Sequence, residues 1–408
     1  MSDLDMFRLM REPGFHSNPH PSFHRLRQSD PVHRSVKTGI WFLTRHADCT
    51  THMRSPKFGR DLRLWDDPNN QWRAENTKHD PLVTELFAAL QPQMFNSNPP
   101  EHSRQRRVFQ HAFVPAAIRE MEQVVQTTAD RLISQLPDGE LRLMHQFAEL
   151  FPVAVIAGLF EVPLSDIESL KAWSDAMAPL VEAGMTQAQK VTAFESHKAF
   201  YAYIEVLVAH RRKHPGNGLI DRAIAAANDD GVLTHQELIN NIVTLLFAGH
   251  ETATNLIGTS LVYLLRNPDQ FRKLREDPSL VTSTIEEVLR YEPPVNANAR
   301  VAIEDVEMGG KTIAAGSLCF AMIASANRDP EVFARPDDFD ITRDPNPHLS
   351  FGAGIHRCIG VSLGRLEGCI ALAGLLRRYS HIELVEEPVW KKRVTIRGVN
   401  ELVLRVRA

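Results

Sequence analysis

The stretch His348–Gly360 reads HLSFGAGIHRCIG and puts Cys358 at the exit of a glycine-rich loop. Gly352 and Gly354 allow turns that side chains forbid. Behind the cysteine, in IGVSLGRLEGCIALAGLLRRY, Leu363, Leu366, Ile370, Ala373 and Leu376 recur at helical spacing. Cys358 therefore stands where a helix begins, and unpaired N–H groups and the positive dipole end favour a thiolate there. Such a thiolate is a nucleophile or a metal ligand. Zinc needs several ligands at close spacing, and His356-x-Cys358 has no second pair nearby. A nucleophilic cysteine needs a base and an oxyanion site, and no local signature marks either. A dinucleotide loop is excluded, because Arg357 stands where the third glycine would fall.

One further chemistry needs a single protein ligand: a thiolate on haem iron. Gly360 would let a flat macrocycle approach the backbone. A second stretch with chemical content is AGHET, Ala248–Thr252, in the middle of a long helical pattern. A glycine and an acid both cost stability inside a buried helix. Either the irregularity is tolerated, or the helix opens there to admit a ligand. Thr252 can bond back to the Ala248 carbonyl and bend the helix, which is compatible with serving a ligand. Glu251 is either a general acid acting through water or a structural acid in an ion pair.

These residues need a scaffold. Thr234 followed by Glu237 fits a capping box, and the pattern it opens runs to Asn267-Pro268, long enough to cross the molecule. Helical patterns dominate from about residue 100 to 290, among them Pro115–Leu136 and the apolar run Leu150–Phe160. Turn residues cluster at His214–Gly218 and Asn228–Gly231. Strand patterns sit near the ends: Gly39–Thr44, two strands around a turn in Gly309–Ile323, and a hairpin or strand pair in Val394–Val406. The expectation is a mainly α fold with a small β portion, in a single domain over residues 1–408.

The net charge of −4 and the absence of a basic block argue against nucleic acid as a partner. The N-terminus is charged and lacks the apolar core of a signal peptide, and no apolar run is long enough to span a bilayer. A cytoplasmic protein with no membrane partner is expected. Cys49, Cys319 and Cys369 read as small buried hydrophobes.

Phe351, Gly352, Gly354, His356, Cys358 and Gly360 closely resemble the haem-binding loop of the cytochrome P-450 monooxygenases. The resemblance extends along nearly the whole chain. Glu287 and Arg290 match the family's Glu-x-x-Arg, AGHET its oxygen-activating segment, Pro99–Arg107 its propionate-contacting segment, and Asn327–Arg343 the meander before the haem loop. It implies the cytochrome P-450 fold, with haem b (iron protoporphyrin IX) between the long central helix and the helix after Cys358. Cys358 would be the iron ligand. His102, Arg106, Arg300 and His356 would pair the propionates, and Thr252 and Glu251 would serve oxygen activation. Glu287 and Arg290 would be structural, with Arg343 or Arg328 as third member. The substrate pocket would draw on Leu62–Phe95, Trp173–Phe200, Thr244, Phe247, Ala248, Val295–Ala299 and the surroundings of Gly398. Asn296 and Asn298 would read a polar group on the substrate or bond to backbone in a turn. The implied activity inserts one oxygen atom of O2 into a small organic, largely apolar substrate, a hydroxylation or epoxidation. Electrons would come from a ferredoxin or flavodoxin with its reductase, docking near Arg104, Arg107, Arg357 and Arg365. A peroxide-driven oxygenase and a non-catalytic haem-binding protein are the alternatives.

Overall fold

One helix organises the molecule. The Thr234 hydroxyl accepts from the Glu237 N–H at 3.2 Å, and the Glu237 carboxylate accepts from the Thr234 N–H at 2.8 Å, completing the expected capping box. From that cap the central helix runs 32 residues, His235–Arg266, and the next helix starts at Pro268. The computed structural model describes residues 5–66, 81–182, 185–216, 218–228 and 232–408. The turn residues Asn217 and 229–231, and residues 67–80 of the expected pocket run Leu62–Phe95, lie outside that set.

The central helix packs against Leu150–Leu159, Gln187–Lys213, Val281–Tyr291 and Val361–Arg378. Leu150–Leu159 is buried nearly all round, Phe151 to Ala157 without a break. Each fully buried Val, Ile or Phe side chain of this run contributes roughly 1.5–3 kcal/mol to the seam with the central helix. Gly249 belongs to the seam: a Cβ there would come 3.1 Å from Ile156 Cδ1. The helix stays helical through Ala248–Thr252. The glycine thus serves a close helix–helix approach, and no break in the helix accompanies it.

The helix after the cysteine loop spans Val361–Arg378. Its buried face is centred on Leu363, Glu367, Ile370, Ala371, Gly374 and Leu375, while Leu366, Ala373 and Leu376 are half-buried. The expected stripe is displaced because this helix is gripped from several sides, by the central helix, Val281–Tyr291 and Pro115–Ser134.

The β portion is small and assembled from distant segments. Its largest sheet orders Val32–Arg34, Trp41–Leu43, Leu318–Met322, Ala297–Ala302 and Phe58–Gly59. Both expected strand pairs exist as strands but do not pair with each other. Lys311–Ile313 pairs with Val306–Met308, and the turn through Gly316, whose N–H donates to Ala302 O at 2.7 Å, delivers Leu318–Met322 into the five-stranded sheet. Val399–Glu401 pairs with Val389–Trp390, and Val403–Arg407 lies between Gly139–Arg142 and His381–Leu384. Cys49 and Cys319 are buried as expected, and Cys369 is half-buried. No described helix is long and apolar enough to cross a membrane.

Candidate active site

The cysteine loop turns on two left-handed glycines, Gly352 at φ 68° and Gly354 at φ 72°. A Cβ on Gly354 would also come 2.5 Å from the Met53 carbonyl oxygen, so no other residue fits. The Cys358 N–H donates to Phe351 O at 2.8 Å, and Gly360 caps the following helix. The Cys358 side chain is exposed, opening onto space walled by protein. Burial by those walls pushes its thiol up, against the pull of the Gly360 N–H and of Arg106 and Arg357. The thiolate-favouring donors are therefore present, but desolvation outweighs them. A metal ion on the sulfur reverses that balance, since a coordinating thiol is deprotonated outright.

A buried ion cluster fixes the loop. Arg290 grips both Glu287 oxygens at 2.8 and 2.7 Å, and Arg343 Nε lies 3.2 Å from each of them. Arg343 is thus the third member; Arg328 donates instead to Tyr291 O and Asp337. Arg290 also donates to Asn327 O. Asn327 in turn accepts from Leu349 N at 2.8 Å and donates to Ser350 Oγ at 2.9 Å, at the start of the cysteine loop. Glu286 lies beside this cluster. Burial works against its charge, but hydrogen bonds from His348 and Arg365 overcome that and hold it down at about 2.

The four expected propionate partners converge. The His102 and His356 rings lie 4.0 Å apart between centroids. Arg106 donates to Arg357 O at 2.7 Å, and Arg300 donates to Phe58 O at 3.1 Å. Burial and the neighbouring arginines Arg106, Arg300 and Arg60 lower His102 to about 4, and burial with Arg60, His102, Arg300 and Arg106 lowers His356 further. Both ring nitrogens of buried His102 and the Nε of Arg300 have no partner. No carboxylate pairs with Arg60, Arg106, Arg300, His102 or His356 among the described residues. An acid-free group of three arginines and two neutral histidines, with unsatisfied ring nitrogens and an unmet guanidinium donor, suits the two carboxylates of a haem edge. Arg60 is the member that sequence reasoning missed; nothing in FGRD marks it, and only strand pairing brings it here.

Between Glu237 and Leu264 the central helix is buried except at Thr244, Phe247, Ala248, Gly249 and Thr252. Thr244, Ala248 and Thr252 recur every fourth residue, so one stripe of an otherwise enclosed helix opens onto accessible space. The Thr252 hydroxyl donates to Ala248 O at 3.2 Å. Glu251 is buried and paired with Lys391 at 3.0 Å and with Arg393. In this state it is the ion-paired acid of the two alternatives. Neighbouring His250 reaches Asp175 at 3.7 Å.

Asn296 bonds through its backbone to Thr395 O and Ala324 N, yet its Oδ1, like that of Asn298, is buried without a partner. The turn-bonding alternative thus leaves both amide oxygens unsatisfied. The expected cationic docking face is smaller than anticipated. Arg365 is held by Glu286 and Arg104 by Glu237, because both acids lie on helices packed against those arginines. Arg107 and Arg357 stay exposed.

A sequence model described as Cytochrome P450 matches residues 73–399. The vitamin D(3) 25-hydroxylase of Pseudonocardia autotrophica is 35% identical over 396 residues, covering 95% of this chain and 94% of that one. The polyketide biosynthesis cytochrome P450 PksS of Bacillus subtilis is 33% identical over 411 residues, covering 97% and 98%. A myxobacterial cytochrome P450 solved in complex with myristic acid superposes with a TM-score of 0.89 at 33% identity, covering 99% of this chain and all of that one.

Proposed function

This chain belongs to the cytochrome P450 family, and from that premise we propose that it is a haem-thiolate monooxygenase. In this reading the whole chain, residues 1–408, works as one cytoplasmic domain. It inserts one oxygen atom of O2 into an organic, largely apolar substrate, and the second atom leaves as water. When bound, the haem supplies the one-electron and dioxygen chemistry. The observation that carries the reading is an exposed thiol at the end of a two-glycine loop, beside an acid-free cluster of arginines and histidines.

Cys358 holds the iron of haem b, and His102, Arg106, Arg300 and His356 hold its propionates. Thr252 keeps a proton on Oγ1, directed at Ala248 O, and presents it to the open stripe when the hydroxyl rotates. Glu251 carries protons only by leaving Lys391 and Arg393, so its ion pairs set the resting state of that path. Phe247 and Ala248 give the stripe an apolar wall. The unsatisfied amide oxygens of Asn296 and Asn298 favour a substrate with a hydroxyl or N–H to donate. Electrons arrive from a ferredoxin or flavodoxin with its reductase, attracted by Arg107 and Arg357. The lipid and polyketide associations of the relatives suit such a substrate.

The test is spectroscopic. The reduced protein under carbon monoxide should show the red-shifted Soret band of thiolate ligation, and Cys358→His should abolish it. A band that survives in the variant means another ligand holds the iron, and the reading fails.

A further inference from the structure

Strand Phe58–Gly59 runs antiparallel to Ala297–Ala302, with Phe58 opposite Ala302 and Gly59 opposite Val301. One more step along this register sets Arg60 opposite Arg300. Residues directly opposite across an antiparallel pair share a face, and like charges there repel. Both side chains are buried, Arg60 6% exposed and Arg300 3%. The pairing is therefore costly as it stands.

Every contact of these guanidiniums is neutral. Arg60 Nε donates to Phe95 O at 3.1 Å and its NH1 to Ala299 O at 3.0 Å. Arg300 NH1 donates to Phe58 O at 3.1 Å, and its Nε has no partner. The side chain that bonds the Arg60 backbone is an amide: Asn98 Oδ1 accepts from Arg60 N at 2.7 Å. That bond fixes where Arg60 leaves the strand without neutralising it. Burial and Arg300 lower Arg60 to about 9, and burial lowers Arg300 to about 10. A buried charge that lacks a counter-charge costs several kcal/mol. The arrangement makes sense when an anion bridges the two arginines.

We propose that Arg60 and Arg300 form a cross-strand clamp on one carboxylate, which makes Arg60 a binding residue of this site. Guanidinium forks match carboxylate oxygens in pairs. Two carboxylates can reach the clamp: a haem propionate, since His102 and His356 adjoin it, or the acid group of a substrate. The first source rests on the haem-thiolate reading above; the second does not need the propionate assignment.

The experiment uses the holoenzyme with Arg60→Leu and Arg60→Lys. Haem transfer to excess apomyoglobin should be about tenfold faster in Arg60→Leu, the scale of one charged hydrogen bond, and intermediate in Arg60→Lys. Reconstitution with the dimethyl ester of the haem should bring parent and variants to the same rate, which a purely structural role of Arg60 would not do. In a second arm, tetradecanoic acid and its methyl ester are titrated by the shift in haem absorbance. If haem transfer is unchanged but Arg60→Leu loses affinity for the acid relative to the ester, the clamped carboxylate is the substrate's. Parent behaviour in both arms overturns the clamp. A parent protein without the thiolate Soret band overturns the haem-thiolate reading instead, in a measurement that does not involve Arg60.

Discussion

Two buried clusters in this protein use the same residue types to opposite ends. Around Glu292, Arg397 Nε donates at 2.5 Å, His20 Nε2 lies at 3.2 Å, and the Tyr263 hydroxyl bonds the same carboxylate. The remaining Arg397 donors reach His16 O at 2.6 Å and Ser17 O at 2.9 Å. The cluster ties the N-terminal segment, the central helix and the segment before strand Val399–Glu401 together, and its charges are balanced. Around Arg60 and Arg300, three arginines and two histidines gather without an acid, and donors go unmet. Satisfied polar networks rigidify a fold, whereas an unsatisfied one calls for a partner from outside. The difference separates scaffold from site where burial alone does not.

The largest expected effect comes from opening the closed cluster. Glu292→Ala strands buried Arg397, and removing one partner of a buried ion pair costs about 3–5 kcal/mol. Urea unfolding should show a far lower midpoint, or the variant should fail to accumulate as soluble protein. A midpoint equal to the parent's would mean that this cluster does not hold the scaffold.

The open cluster should respond with the opposite sign. Arg300→Leu removes a charge that the haem-free protein buries without a counter-charge. Replacing buried charge by a well-packed apolar side chain is neutral or stabilising by about 1–4 kcal/mol. The haem-free variant should therefore unfold at an equal or higher urea concentration, while the holoenzyme releases haem faster. If Arg300→Leu destabilises the haem-free protein as much as Glu292→Ala does, the two clusters are of one kind and the distinction collapses.

Local sequence carried part of this. Thr234 and Glu237 announced the central helix because a capping box is complete within four residues. The cysteine loop was legible because its glycines and Cys358 are contiguous. Glu287 and Arg290 stand one turn apart, so their pairing could be foreseen, but choosing Arg343 over Arg328 required the path of the meander. Arg60 was invisible, since its meaning depends on a strand register that joins residues about 240 positions apart. The Lys391 and Arg393 partners of Glu251 were hidden because tertiary packing alone brings a segment about 140 positions away against the central helix. The strands in Gly309–Ile323 and Val394–Val406 were legible but their partners were not, as pairing is decided by tertiary packing and not by proximity in the chain.

The smallest effect probes the proton balance of the closed cluster. Burial and Arg328 push His20 down to about 4 from 6.5, against the pull of Glu292. Between those two values the unfolded chain binds a proton on His20 that the folded protein does not. Stability therefore falls as pH drops through this window, by at most about 1.4 kcal/mol per pH unit, and the loss levels off below pH 4. Glu292 is shifted the other way for a carboxylate, its folded pKa depressed by Arg397 and His20 against burial. Its contribution is complete above 4.5 and is lost only at more acid pH, so it does not mask the window. Other buried histidines titrate in the same range, so the comparison must be differential. His20→Gln, which keeps a polar side chain without a titrating ring, should unfold with a pH slope shallower than the parent's by about one proton between pH 4.5 and 6.5. Parallel slopes would mean that His20 is protonated in the folded protein and that Glu292 shares its charge with two cations rather than with Arg397 alone.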